Sequence, residues 1–205
     1  MWVFGYGSLV WKVGFPYKRK LNGYITGYVR RFYQSSEDHR GVPGKPGLVV
    51  TLLPSSNSKD RVWGVAYEIA QEDEEIVTVQ LDHREKDGYN KQSVKFYPAN
   101  NSFTGVQNND SQATDLFDAF DLVIYVGLDT NPWYVGPLSI EDMARRIVNA
   151  RGNSGANREY LYNLANSMRD IAPEEEDEHL FSLEAAVKEL EFSHQSADTL
   201  TRNSA

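Results

Sequence analysis

The sequence predicts an α+β fold, and three observations carry that reading. β-Branched and aromatic runs fill the first two thirds of the chain, helical periodicity takes over from Leu138, and the two kinds of element do not alternate. Strands first and helices last exclude a repeating βαβ sheet.

The predicted strands are Trp2 to Tyr6, Tyr24 to Gln34, Leu48 to Leu53, Val62 to Ile69, Ser93 to Tyr97 and Leu122 to Val126. Between Ile69 and Gly88 the period changes, and Ile76, Val79, Gln80 and His83 fall at helical spacing. The acidic start of that helix, Glu72 to Glu75, suits the positive end of a helix dipole, and Asp87-Gly88 reads as the turn into the next strand. Further on, Ser139 can cap a helix to about Ala150, with Asp142 three residues on. A second helix is predicted over Asn157 to Ile171, and Pro173 is placed to open a third that ends near Glu191. One domain over residues 1–192 follows. Residues 100–118 form a polar surface insertion within it, and 193–205 a disordered polar tail.

Composition narrows the functional classes. A net charge of −8, with Arg30-Arg31 and Arg145-Arg146 as isolated basic doublets, argues against nucleic acid as a partner. No apolar run reaches the 18 or so residues that span a bilayer, so no membrane partner is expected. The absence of a leader pattern before the strand at Trp2 predicts a cytosolic protein. With 0 cysteines, disulfides, thiolate metal sites and cysteine nucleophiles are all excluded.

The strongest chemical signal is Gly5-Tyr6-Gly7-Ser8-Leu9 directly after an apolar strand. Two glycines one residue apart bring bare backbone N–H groups up to whatever lies at the strand end, which is hardware for an anion or an oxyanion. Val10 stands where a dinucleotide fingerprint needs its third glycine, and no Lys-Ser/Thr pair follows to make a phosphate loop. The plainer reading is a tight turn after an edge strand.

Glu85, within Arg84-Glu85-Lys86, falls at the predicted C-terminal end of the short helix. The negative end of the dipole there raises a carboxyl pKa, which suits a general base, although a surface ion pair accounts for the same pattern. Glu176 and His179 have the E-x-x-H spacing of metal ligands but lack a second copy, so residues 173–178 read as a solvated helix start and no metal is expected. Asp38-His39-Arg40 and Asp82-His83 could each join Ser8 in a relay. No Gly-x-Ser-x-Gly elbow supports that, and a polar loop cluster is the simpler account of Asp38-His39-Arg40.

Taken in chain order, these pieces resemble the ChaC family of glutathione-specific γ-glutamylcyclotransferases, particularly its shorter animal-type members. The matching motifs are Trp2-Val3-Phe4-Gly5-Tyr6-Gly7-Ser8-Leu9, Asp38 to Gly47, Trp63-Gly64-Val65-Ala66-Tyr67, Arg84 to Tyr89, Asn131-Pro132-Trp133-Tyr134 and Asn157-Arg158-Glu159-Tyr160-Leu161. The resemblance implies a compact mixed β-barrel with surrounding helices, a substrate loop at Val3 to Ser8, and Glu85 as the catalytic acid/base. It implies substrate contacts from Val3, Phe4, Gly5, Tyr6, Gly7, Ser8 and Leu9, with Arg40 on a substrate carboxylate or stabilising its own loop, and Tyr6, Tyr89 and Tyr134 as pocket hydroxyls.

The implied reaction is attack by the substrate's own α-amino group on its γ-glutamyl carbonyl, giving 5-oxoproline and Cys-Gly from glutathione. Nucleophile and electrophile share one molecule, so neither a cofactor nor a metal is required. Proton transfer from an α-ammonium of pKa about 8 to a glutamate of about 4.3 is uphill by roughly 5 kcal/mol, so the base needs a raised pKa. Two alternatives stay open: a binding module for γ-glutamyl compounds without turnover, and a cyclotransferase for other γ-glutamyl amino acids or γ-glutamylamines.

Overall fold

In a computed structural model the described residues are 1–84, 89–99, 118–127 and 129–202. Glu85, the Asp87-Gly88 turn and nearly all of the 100–118 insertion therefore lie outside the described residues. Nine strands and four α-helices are described: β1 Trp2–Gly5, β2 Arg19–Thr26, β3 Tyr28–Ser36, β4 Gly47–Pro54, β5 Arg61–Glu68, α1 Glu74–Arg84, β6 Tyr89–Pro98, β7 Phe120–Gly127, α2 Ile140–Asn149, β8 Arg151–Gly152, β9 Gly155–Ala156, α3 Asn157–Ile171 and α4 Glu178–Arg202.

Five strands close a barrel in the order β1-β5-β2-β6-β7, sealed by a parallel pairing of Val3 with Val123. Strands β3 and β4 form a separate antiparallel ribbon. Inside the barrel Gly23 of β2 stands opposite Gly64 of β5. A Cβ at Gly23 would sit 2.5 Å from Phe96 Cζ, and one at Gly64 2.6 Å from Phe4 Cζ. These two bare positions make room for the Phe4 and Phe96 rings, whose centroids are 5.7 Å apart in a tilted pair at the barrel's centre.

Alternation along the strands divides the apolar residues between two clusters. Phe4, Leu21, Ile25, Val62, Ala66, Phe96, Leu122 and Ile124 belong to a core shared with the ribbon and with the packed faces of α2, α3 and α4. Val3, Val65, Tyr67 and Tyr125 belong to a smaller cluster beneath Val77 and Leu81 of α1.

Four expectations need correction. The run Tyr24 to Gln34 is two strands divided at Gly27, which holds the left-handed φ of +78° that a tight reversal demands. Helix α1 packs through Val77 and Leu81, while Ile76 and Val79 are exposed. Pro173 does not open the third helix: α4 starts at Glu178, where Asp177 Oδ1 accepts the Leu180 N–H at 3.1 Å as a cap. The helix then runs on to Arg202, through the segment expected to be a disordered tail. The other two helices are where the sequence puts them, with Ser139 Oγ accepting the Asp142 N–H at 3.1 Å.

Candidate active site

A cleft of ≈ 670 Å³ opens at the C-terminal end of β1. Its walls come from the Phe4–Leu9 stretch, from Gln34 to Arg40 at the end of β3 and beyond it, from Val49 and Val50 of β4, from Leu81 of α1, and from Tyr125, Trp133, Ser154 and Tyr160. That volume suits a small molecule of tripeptide size.

Past Gly5 the chain enters a tight 3-10 turn over Ser8–Val10. The N–H groups of Val10 and Lys12 return to the Gly7 and Ser8 carbonyls at 3.0 and 2.8 Å, while those of Gly7 and Leu9 donate no backbone hydrogen bond among the described residues. Both glycines are there for space. A Cβ on Gly5 would lie 2.6 Å from Leu9 Cβ, and one on Gly7 would lie 2.8 Å from the Tyr160 hydroxyl and 3.0 Å from Val50 Cγ2. The loop is thus pressed onto α3 and β4 and held at two further points. The Tyr6 hydroxyl donates to the Tyr125 carbonyl, and the Tyr67 hydroxyl to the Leu9 carbonyl, each at 2.7 Å.

Arg40 is buried and lines the cleft. Its Nη1 donates to the Ala156 carbonyl at 3.1 Å and lies 3.8 Å from Glu159 Oε2, and its guanidinium stacks over the Tyr160 ring at 5.6 Å. Burial lowers its pKa, and the Tyr160 and Glu159 side chains partly offset that. This arginine ties the loop after β3 to the start of α3. Asn157 makes the neighbouring tie, accepting the Leu48 N–H at 2.6 Å and donating to the Leu48 carbonyl at 2.7 Å.

On the opposite wall Tyr125 donates to Asp82 Oδ1 at 3.1 Å, and Lys91 pairs with Asp82 at 2.8 Å. These contacts fasten the last turn of α1 to β6 and β7; Lys91 holds the Asp82 carboxyl below its usual range. Exposed His39 lies against Asp38 at 3.5 Å and Ser154 at 3.2 Å, a polar loop cluster as expected. His179 is structural as well. Its Nε2 accepts the Phe32 N–H at 3.1 Å, and burial lowers its pKa to about 4. Among the described residues no cluster of His, Asp and Glu is arranged to hold a metal ion, and no helix is long and apolar enough to cross a membrane.

Of the residues singled out in the sequence, Phe4, Tyr6, Gly7, Ser8, Leu9 and Arg40 line the cleft. Val3 is fully buried beneath α1, and Gly5 forms the turn behind the wall. Tyr134 is not part of the wall; its neighbour Trp133 is, because the Asn131–Tyr134 segment runs as an extra edge beside β3, with Ser35 N–H donating to the Trp133 carbonyl at 2.8 Å. The backbone of Tyr89 pairs with Gly127. Sequence reasoning passed over Gln34, Tyr125 and Tyr160 as wall residues. Tyr160 alone had a signal, its place in a motif.

Comparisons with known proteins identify the family. The family model described as ChaC-like protein matches residues 1–190. A glutathione-specific γ-glutamylcyclotransferase 1 of Danio rerio is 40% identical over 189 residues, which is 91% of this chain and 88% of that protein. A glutathione-specific γ-glutamylcyclotransferase of Schizosaccharomyces pombe is 37% identical, covering 92% of each chain. The crystal structure of a γ-glutamyl cyclotransferase specific to glutathione from yeast superposes with a TM-score of 0.78 at 29% identity, over 92% of this chain and 96% of that one.

Proposed function

This chain belongs to the ChaC family, and from that premise we propose that it is a glutathione-specific γ-glutamylcyclotransferase, a carbon–nitrogen lyase releasing 5-oxoproline and Cys-Gly from reduced glutathione. The observation that carries this reading is the cleft at the end of β1, where the Phe4–Leu9 stretch, Arg40 and Leu81 of α1 share one wall system. Leu81 precedes Glu85 by four residues in the chain.

In this mechanism the α-amine of the γ-glutamyl residue attacks its own γ-carbonyl carbon. A C–N bond forms within a five-membered ring, and the bond to the cysteinyl nitrogen breaks. Holding the γ-glutamyl chain curled supplies the orientation that an enzyme nucleophile supplies elsewhere. Backbone N–H groups of the Gly5–Leu9 loop stabilise the oxyanion, each donor worth on the order of 3 kcal/mol in the transition state. Glu85 takes the proton from the attacking amine and returns it to the departing one. Arg40 sets the cleft wall and offers its remaining N–H groups to a substrate carboxylate, with Tyr89 and the loop residues completing the pocket. The same reading has the protein working in the cytosol.

The test is mass-spectrometric detection of 5-oxoproline and Cys-Gly from reduced glutathione, with N-acetylglutathione and a panel of γ-glutamyl dipeptides alongside. Turnover of glutathione but not of the N-acetyl compound, whose nucleophile is blocked, is the expected outcome. Tight glutathione binding with no product would favour the binding module, and preferential turnover of other γ-glutamyl dipeptides would overturn the specificity.

A further inference from the structure

A second cavity, of ≈ 740 Å³, lies between β3, the start of β5 and the connection from α3 to α4, and shares no wall residue with the cleft. Its wall includes Arg30, whose side chain is 2% exposed, and Trp63. One Arg30 nitrogen, Nη2, donates to the Trp63 carbonyl. The other two, Nε and Nη1, are buried with no hydrogen-bond acceptor, and so is the Trp63 indole Nε1. Asp177 balances the arginine's charge from 3.6 Å without reaching hydrogen-bond distance. Three buried donors on one wall are a costly arrangement unless an acceptor joins them.

The rest of the wall says what kind of acceptor fits. Arg31, Lys59 and Arg61 contribute further cations, while Asp60, Glu175, Glu176, Asp177 and Glu178 contribute carboxylates. Arg61 and Glu175 neutralise each other at 3.0 Å. Glu176 and Glu178 are exposed and make no ion pair among the described residues. His179, facing Arg31 and Asp177, is neutral at ordinary pH. A multiply charged anion such as phosphate meets the carboxylates with repulsion, whereas a molecule with one anionic and one cationic end meets a complement for each.

We propose that this cavity binds a small zwitterion with a free α-carboxylate and a free ammonium group, an amino acid or a dipeptide. The carboxylate accepts from Arg30 and Trp63 and the ammonium is held by Glu176 and Glu178.

The indole N–H resonances of the protein test this without reference to turnover. Trp133 reports on the catalytic cleft and Trp63 on the second cavity, with Trp63→Phe assigning the latter's signal. Titration with glycylglycine is expected to shift the Trp63 signal saturably. Glycylglycinamide, which lacks the carboxylate, and N-acetylglycylglycine, which lacks the ammonium, are each expected to bind about tenfold more weakly, the equivalent of one charge-assisted contact. Arg30→Met is expected to abolish the Trp63 response. Should that variant fail to fold, the exposed pair Glu176→Gln and Glu178→Gln is expected to weaken glycylglycine by at least about threefold. An unmoved Trp63 signal, a shift confined to Trp133, or an equal response to inorganic phosphate would overturn the proposal.

Discussion

Two buried arginines, ten residues apart in the sequence, have opposite fates. Arg40 borders the cleft at the end of β1, where its Nη1 donates to the Ala156 carbonyl and faces Glu159 and its guanidinium lies over the Tyr160 ring. Arg30 borders the second cavity, and two of its three nitrogens donate to nothing. Motif membership draws attention to the first, hydrogen-bond accounting to the second. A buried guanidinium holds structure where its donors are used and recruits a ligand where they are not. On the proposed reading the cleft combines backbone donors and the Glu85 carboxylate with an arginine already anchored in its wall, while the second cavity relies on side-chain donors alone.

The largest expected effect sharpens the cleft's side of this contrast. Glu85→Gln is expected to cut turnover by at least about 10³-fold while leaving the unfolding temperature close to wild type, because a general acid/base contributes on this scale. Stopped product assays and thermal melts measure both. Near-normal turnover would remove Glu85 from the mechanism.

Next in size is Gly7→Ala, whose Cβ would meet the Tyr160 hydroxyl at 2.8 Å. Displacing the loop by a fraction of an ångström is expected to lower kcat/KM by about 100-fold. The double variant Gly7→Ala with Tyr160→Phe, which removes the obstructing oxygen, is expected to recover part of that loss. No recovery would mean that the loop's position is not what Gly7 secures.

The arginines themselves can then be set against each other by stability. Arg40→Met, which removes the charge-assisted bond to the Ala156 carbonyl and the stack on Tyr160, is expected to cost about 2 kcal/mol in denaturant unfolding. Arg30→Met, which removes two unsatisfied buried donors along with one hydrogen bond, is expected to cost less than about 1 kcal/mol. A reversed order would break the contrast.

These outcomes bear on what the sequence could reveal. Ser139 announces its helix because capping is local chemistry. Gly27 was overlooked because apolar residues run on through β2 and β3, and only the backbone's left-handed turn separates them. Periodicity on α1 allowed either of two apolar faces, and packing against Val3, Val65 and Tyr67 selected Val77 and Leu81 over Ile76 and Val79. The loop at Gly5 to Leu9 was legible from its glycines. Gln34, Tyr125 and Tyr160 were not, since barrel closure and ribbon packing bring them together from distant stretches of the chain.

A last effect is one of pH. The buried imidazole of His179 has its pKa lowered from 6.5 to about 4, so the folded state binds a proton less readily than the unfolded chain. Its contribution is full above about pH 6.5 and is lost as pH falls toward 4, amounting to roughly 2 kcal/mol by pH 5. His179→Gln can still accept from the Phe32 N–H and is expected to flatten the stability profile between those limits. A profile unchanged by the substitution would show that other groups set the acid limit.

The central claim is intramolecular attack within the cleft, and turnover of reduced glutathione in 18O-labelled water, with EDTA present, tests it most directly. The account predicts 5-oxoproline without 18O from the wild type and no product from Glu85→Gln. Free glutamate carrying 18O would mean that water, not the substrate's own amine, attacks the γ-carbonyl, and would contradict it.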